Sequence, residues 1–506
     1  MIPLPLLAPL VLLAAALVAA TRPGRRPRAV PRLSVGAALM VLLLVLAGAV
    51  QLAFTGPQTL GPLFRSDVLS TVMALLVGFV GWIVLRYTRN YLDGEAREGA
   101  FHALMLVTLA AVLALIHAAS LPVMTLAFAV IGLILRQLLL FYSDRPEARR
   151  AALKFTLVWG AGDGALVLAT ALLWGQGGAS FAAMGALPPS AATVAATALI
   201  VLAAALKTAA FPLHGWLTEV MEAPTPVSAL LHAGVINAGG ILLLRSADLV
   251  QASPGAMAAL AMLGGLTALF GAVVMLTQSA IKTALAWSTI SQMGFLLLQC
   301  GLGLWALALL HIIAHSLYKA HAFLASGGAV QSVAAIRRPG PVAVPSLSNV
   351  AHAFALALAL YAAVATGFAL LAGPKSAQAL ALGAMLVFGV AYLVAQGLAD
   401  AAPTALTRRT ALASAGATLA YFSFQMLATH LWGGALPVPP QPGALEWALI
   451  VLAVASFGLV AVAQALFPLW AHHPATAGLR VHVANGFYLN ALLDRLIGGF
   501  RAKPQH

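Results

Sequence analysis

Apolar runs long enough to cross a lipid bilayer recur along this chain from one end to the other, and that repetition constrains its fold more than any motif does. The hydrocarbon layer is roughly 30 Å thick, so a helix crosses it in about 20 residues while satisfying its own backbone hydrogen bonds. Such runs are expected about 15 times between residues 3 and 470, which predicts an all-α, polytopic membrane protein. The charged share of the chain is only 8%, against roughly 25% in a soluble domain. Stretches between the expected spans stay below about 25 residues, too short for a separate catalytic or nucleotide-binding domain. Function therefore belongs in the membrane or in a partner chain.

A net charge of +14 raises the question of nucleic acid. The basic residues instead follow the positive-inside rule. With the N-terminus outside, the inward loops hold Arg22, Arg25, Arg26, Arg28 and Arg32, then Arg86, Arg89 and Arg97, then Arg145, Arg149, Arg150 and Lys154. Lys282, Arg337, Arg338, Arg408, Arg409, Arg480 and Arg495 continue the pattern, whereas the outward loops hold only Arg65, Arg245 and Lys375. This predicts an outside N-terminus and a cytoplasmic C-terminus. The first span has no basic residue before it, so it is expected to stay as a helix rather than be removed as a signal peptide. The single cysteine, Cys300, excludes an internal disulfide and any multi-cysteine metal or iron–sulfur site within this chain, and no cofactor is expected in it.

Four regions are expected: N-terminal helices at 1–99, a motif-dense core at 100–332, an Ala/Leu-rich set of helices at 333–470, and a tail at 471–506. The tail is too short and polar to cross again, and 485–500 reads as an amphipathic helix lying at the inner surface or against a partner.

A charge near the bilayer centre costs about 2.5 to 3.5 kcal/mol on insertion scales, so each buried ionisable residue is a functional candidate. Lys207 ends an apolar run and is followed by Phe211-Pro212, where the proline removes a backbone donor and clashes with the carbonyl of Thr208. A broken helix beside a buried ammonium is how transporters expose backbone to ions; the plainer alternative is a lysine snorkelling from a helix end. Glu219 and Glu222 share a helical face, and Glu222 is the one expected to pair with Lys207 or another buried cation, Glu219 being the more readily solvated. His232 lies two turns into the next helix, where an imidazole can pass protons near neutral pH, although a lone histidine on an apolar face is more often structural. His311, His315 and Lys319 repeat every four residues and so line one helical face, a ladder of titratable groups through hydrocarbon. Two histidines four apart also suit zinc, but no acidic or cysteine ligand is near in sequence and Lys319 would repel the cation, which favours proton relay. Asp163 adds a carboxylate within the sixth span.

Lys207 with Phe211-Pro-Leu-His-Gly-Trp216, Met221-Glu-Ala-Pro-Thr-Pro-Val-Ser-Ala-Leu-Leu-His232, Lys282-Thr-Ala-Leu-Ala-Trp-Ser-Thr-Ile-Ser-Gln and His311 to Lys319 resemble the proton-conducting subunits of complex I and Mrp-type antiporters. The match covers about 100–330 and implies that Lys207 is the family's broken-helix lysine, Lys282 its loop lysine, and His311, His315 and Lys319 its central relay. Two features depart from the family. Its fifth-span Glu is replaced by Ala129, with Arg136 further along the same span, and beyond Lys319 the later spans offer only His352, Gln396, Asp400 and His430 in place of its distal acid or lysine.

Within the family, the wording Glu219-Val-Met-Glu-Ala-Pro-Thr-Pro226, His232-Ala-Gly-Val-Ile-Asn-Ala-Gly-Gly240 and the tail Val481-His-Val-Ala-Asn-Gly-Phe-Tyr488 look like the DabB branch, membrane subunits of bacterial inorganic-carbon accumulating complexes. That resemblance implies a DabA-like peripheral zinc partner similar to β-carbonic anhydrases. It also implies an inner-membrane location and a flow of protons or sodium that drives hydration of CO2 to bicarbonate in the cell, with the catalysis in the partner. Arg480, His482, Asn485, Phe487 and Tyr488 are the expected partner contacts. The alternatives are a proton-pumping quinone oxidoreductase subunit and an Mrp-type cation/proton antiporter.

Overall fold

The computed structural model describes residues 3–328, 346–397, 403–466, 470 and 473–496, with the backbone alone at 392–397, 403–407 and 410. Arg337, Arg338, Asp400 and the expected boundary at 332–333 lie outside the described residues, as does the side chain of Gln396.

Helices dominate, because an isolated strand in hydrocarbon would leave its peptide groups unpaired. They run α1 (Ala8–Ala20), α2 (Val30–Thr55), α3 (Val68–Tyr91), α4 (Glu98–His117), α5 (Leu121–Leu139), α6 (Pro146–Trp174), α7 (Phe181–Met184) and α8 (Ala191–Lys207). After the break come α9 (Gly215–Glu219), α10 (Thr225–Ala233), α11 (Ala238–Arg245), α12 (Ala247–Gln251), α13 (Pro254–Met275), α14 (Ile281–Gly301) and α15 (Trp305–Ala325). The later set is α16 (Leu347–Ala372), α17 (Ala377–Gly397), α18 (Pro403–Trp432) and α19 (Ala444–Ala465), followed by two tail helices, α20 (Ala477–Ala484) and α21 (Leu489–Leu496). A small hairpin, β1 (Gln58–Leu60) with β2 (Phe64–Ser66), covers one end of the bundle.

Among the described residues, 11 helices are long and apolar enough to span a membrane, fewer than the roughly 15 expected from run length. Leu4–Ala20 and Ala191–Lys207 are shorter apolar helices, α14 carries Lys282, Ser288, Thr289, Ser291 and Gln292 along its length, and α17 is described with its side chains only as far as Ala391.

The span formed by α10 and α11 is the innermost, 94% buried, and is itself interrupted by a 3-10 turn at Val235–Asn237. Around it pack α3, α8, α14 and α15, with α1, α2, α4, α5 and α6 on one side and α16 to α19 on the other. The closest pair is α13 and α14, which approach through glycines on both helices: Gly264 faces Gly294, Gly271 meets the Ser291 backbone, and Gly301 meets that of Ala261. A Cβ at Gly294 would overlap the backbone nitrogen of Ala268, so only glycine permits this approach. Small residues are what helices use to come close where no hydrophobic drive exists between them.

Candidate ion path

The predicted break is present. α8 ends at Lys207, and the carbonyls it frees are taken up locally: Ala204 by the Thr208 amide and hydroxyl, Ala205 by the Ala210 amide, and Leu206 by the Trp216 indole at 3.2 Å. Helix ends leave such carbonyls without intrahelical partners, and burying them unpaired would be costly. Ala209 bridges the break in the left-handed region (φ 54°), and the Phe211 amide donates to Thr267 on α13.

Lys207 is fully buried, so it does not snorkel. Its ammonium donates to Asp163 on α6 at 2.6 Å and to the Trp159 carbonyl at 3.4 Å, and it sits over the rings of Trp159 (4.1 Å) and Phe128 (4.3 Å). The acid facing the broken-helix lysine thus comes from the sixth span. The lysine stem runs past Gly162, next to Asp163 on α6.

The pairing expected for Glu222 is not found. Glu222 is exposed and meets Arg145 at 3.5 Å, whereas Glu219, expected to be solvated, is the carboxylate that holds a buried cation, Lys154. The reason is register: the short α9 and the 3-10 turn after it turn Glu219 inward against α6 and leave Glu222 at the rim. Arg136 is also displaced from the path. It lies in the last turn of α5 on an exposed face, away from Lys207 and with no ion pair among the described residues. Lys282 stands half-buried in the first turn of α14, likewise without an ion pair.

His232, His311, His315 and Lys319 are brought together by α10, α14 and α15. Lys319 is fully buried and donates to the Leu285 carbonyl at 3.1 Å. The Thr289 hydroxyl donates to that same carbonyl at 3.0 Å, so its oxygen accepts from His232 Nδ1 at 3.1 Å. The His232 carbonyl in turn accepts from His315 Nε2 at 3.1 Å, and the His311 and His315 rings stand 6.0 Å apart. Phe323 stacks on the His232 ring at 4.4 Å and fixes its plane. Lys319, Thr289, His232, His315 and His311 therefore form one connected series. Sequence reasoning missed Thr289; its place in Ser288-Thr-Ile-Ser-Gln292, seven residues after Lys282, was the available signal.

The outer end of this series opens into a cavity of about 670 Å³ between α13 to α15 and α17 to α19, lined by Ser291, Gln292, Gln299, His311, His315 and Gln464. His315 Nδ1, His311 Nε2 and Gln299 Oε1 are buried there without a protein partner. Most of its wall is apolar, and these unpaired groups mark the part of it where a water would find hydrogen-bond partners. Among the described residues the cavity is lined by no acid or lysine, and His352 and His430 are not part of it. Opposite the arginine-rich end, Asp67 caps α3 and is bound by Arg245 (2.6 and 3.2 Å) and Arg65 (2.9 Å). Burial pushes its carboxyl up, but these two guanidiniums and the Ser70 amide hold it down at about 2.

The tail does not lie freely on a surface. Its α21 inserts Asn490 and Asp494 against the buried Lys154. Arg480, His482, Asn485, Phe487 and Tyr488 are all exposed on it. Among the described residues, no three His, Cys, Asp or Glu side chains come together as a metal site.

A buried lysine at a broken helix with its acid, and a second buried lysine inside a helix that also carries two histidines, define an antiporter-like membrane subunit. Residues 118–402 match the family described as NADH:quinone oxidoreductase/Mrp antiporter, transmembrane. The chain is 37% identical over 450 residues, 86% of its own length and 80% of the relative's, to a probable inorganic carbon transporter subunit, DabB2, of Halothiobacillus neapolitanus. It is 32% identical over 458 residues to the NADH-quinone oxidoreductase subunit L of Mycobacterium tuberculosis, covering 86% of this chain and 70% of that one. A solved Mrp complex from Dietzia sp. superposes with a TM-score of 0.56 at 25% identity over 99% of this chain, which spans 57% of the matched chain. The chain belongs to this family of antiporter-like, transporter-type membrane subunits, in its DabB-type branch.

Proposed function

We propose that this chain conducts protons, or sodium ions, down their electrochemical gradient and that the flow energises CO2 hydration and bicarbonate accumulation by a DabA-like, zinc-containing partner on the cytoplasmic side. The observation that carries the reading is the buried Lys207 paired with a half-buried Asp163 beside a broken helix, in one bundle with the Lys319–Thr289–His232–His315 series. For a proton, Lys207 exchanges it with Asp163, and Lys319 and His232, which meet at the Leu285 carbonyl and the Thr289 hydroxyl, are followed by His315 and His311 as the titratable stations leading to the cavity. Lys282 and Glu222, at the arginine-rich rim, lie on the side from which a cytoplasmic partner would be reached, and Arg136 plays no part. In this orientation the arginine-rich end and the tail face the cytoplasm of a bacterial inner membrane, and the exposed Arg480, His482, Asn485, Phe487 and Tyr488 face the partner.

The test is bicarbonate uptake in cells that lack carbonic anhydrase and express this chain with its partner. Uptake is expected to need both proteins, to collapse with an uncoupler, and to be lost in Lys207→Ala and Lys319→Ala at equal complex abundance. Uptake that survives both an uncoupler and a sodium ionophore refutes the reading.

A further inference from the structure

The ion path as described makes no use of Lys154, although it is one of the largest fully buried side chains and is only 1% exposed. Its ammonium is held by three groups at once: Glu219 on α9, and Asn490 and Asp494 on the tail helix α21. Asn490 joins them, since its amide oxygen accepts from Lys154 at 2.7 Å while its amide nitrogen donates to Glu219 at 2.8 Å. A helix that merely adhered to the bundle would need only apolar contacts; burying an ammonium with two carboxylates costs several kcal/mol of desolvation unless the geometry is closely satisfied.

The bundle is shaped to receive this tail. Gly215, the first residue of α9, has no side chain, and a Cβ there would overlap Asn490 Oδ1. Gly486 turns in the left-handed region (φ 55°) against the Trp287 ring of α14, Gln278 donates to the Ala484 carbonyl at 3.2 Å, and Phe487 meets Phe270 of α13. From Gly215 a short rigid route leads to the path. The next residue, Trp216, donates to the Leu206 carbonyl, one residue before Lys207, and its ring packs edge-on at 6.1 Å against Trp159, whose face holds the Lys207 ammonium.

We propose that Asn490 and Asp494 are positioning residues for the ion path: by clamping Lys154 and Glu219 they fix α9, and through Trp216 they set the broken helix that carries Lys207. The tail is then the element through which anything bound to its exposed face reaches the path. This rests on the reading of the chain as an ion conductor and is independent of carbon chemistry.

The experiment uses the full chain in membrane vesicles with its partner and reads ion flux by a pH-sensitive dye. Asp494→Asn and Asn490→Ala are expected to lower flux at least tenfold at equal abundance, and Asp494→Glu to retain it. A Cβ on Gly215 would lie 3.3 Å from that of Asn490, close to the roughly 3.5 to 4.5 Å of a disulfide. The pair Gly215→Cys/Asn490→Cys therefore replaces the clamp covalently, and the buried Cys300 does not compete. In the Asp494→Asn background, oxidation of that pair is expected to restore flux and reduction to abolish it again in the same molecules. Wild-type flux in both single variants overturns the proposal, as does a closed disulfide with flux still low. Ion flux without bicarbonate uptake would sink the carbon reading alone.

Discussion

Asp163→Asn isolates the Lys207 pair without removing volume. In the native chain the ammonium has a carboxylate at 2.6 Å, a carbonyl at 3.4 Å and two aromatic faces within 4.3 Å, and its side chain is closed to solvent. Asparagine keeps the shape and an acceptor oxygen but removes the charge. Breaking a buried pair in this way costs about 3 to 5 kcal/mol, because the partner charge is left uncompensated. The aromatic faces do not make up the loss, since they are already engaged and contribute about 2 kcal/mol when desolvated. Every cycle in which Lys207 carries its charge is then raised by about 3 kcal/mol or more, which at 1.36 kcal/mol per decade lowers turnover at least about 100-fold. The assay is dye-reported ion flux in proteoliposomes at matched protein density. Asp163→Asn within threefold of wild type would refute the claim that this carboxylate is the working partner of Lys207. The double variant Asp163→Asn/Lys207→Met is expected to be inactive but better folded than Asp163→Asn, since it leaves no charge behind.

Arg136→Gln is expected to leave flux within about twofold of wild type, because an exposed, unpaired side chain away from such features changes little; a tenfold loss would return Arg136 to the path. Thr289→Val keeps the volume but deletes the hydroxyl between the Leu285 carbonyl, which also accepts from Lys319, and His232, and is expected to reduce flux while thermal unfolding in detergent stays within a few degrees; unchanged flux removes Thr289 from the series. Gly294→Val forces α14 away from Ala268 and is expected to lower folded yield, an overpacking cost of about 1 to 3 kcal/mol read by fluorescence size-exclusion. Asp67, held at about 2 against an ordinary 3.8, contributes about 2 kcal/mol that is present above pH 4 and lost as pH falls toward 2. Arg245→Met is expected to lower the melting temperature at pH 7 and flatten its decline between pH 4 and pH 2, and an unaltered acid limb would show that the pair carries no such share.

The break after Lys207 was legible because proline acts locally: its ring and missing N–H end a helix whatever packs around it. The face shared by His311, His315 and Lys319 was legible for the same kind of reason, as helical periodicity fixes which side chains align. Partner choice between elements was not. Glu219 and Glu222 are three residues apart, and only the turn that follows α9 decides that Glu219 faces Lys154 and Glu222 faces solvent. The tail shows the same limit. Its amphipathic pattern was visible, but pairing of Asp494 with Lys154, 340 positions earlier in the sequence, depends on Gly215 being empty of a side chain, which no local pattern reports.

The two buried lysines are not equivalent, and their difference says where the path is most demanding. Lys207 has a carboxylate, so its charged state is offset within the protein. Lys319, equally closed to solvent, has one carbonyl and no acid among the described residues. A buried charge with a single neutral acceptor lacks several kcal/mol of the compensation that a paired one receives. A charge on Lys319 is therefore less compensated than one on Lys207, and the cavity beyond His315 is the nearest space that water can occupy. On the proposed path Lys319 is thus the station that most needs a neighbour able to take its proton, and His232, reached through the Leu285 carbonyl and the Thr289 hydroxyl, is the titratable group nearest to it in that network.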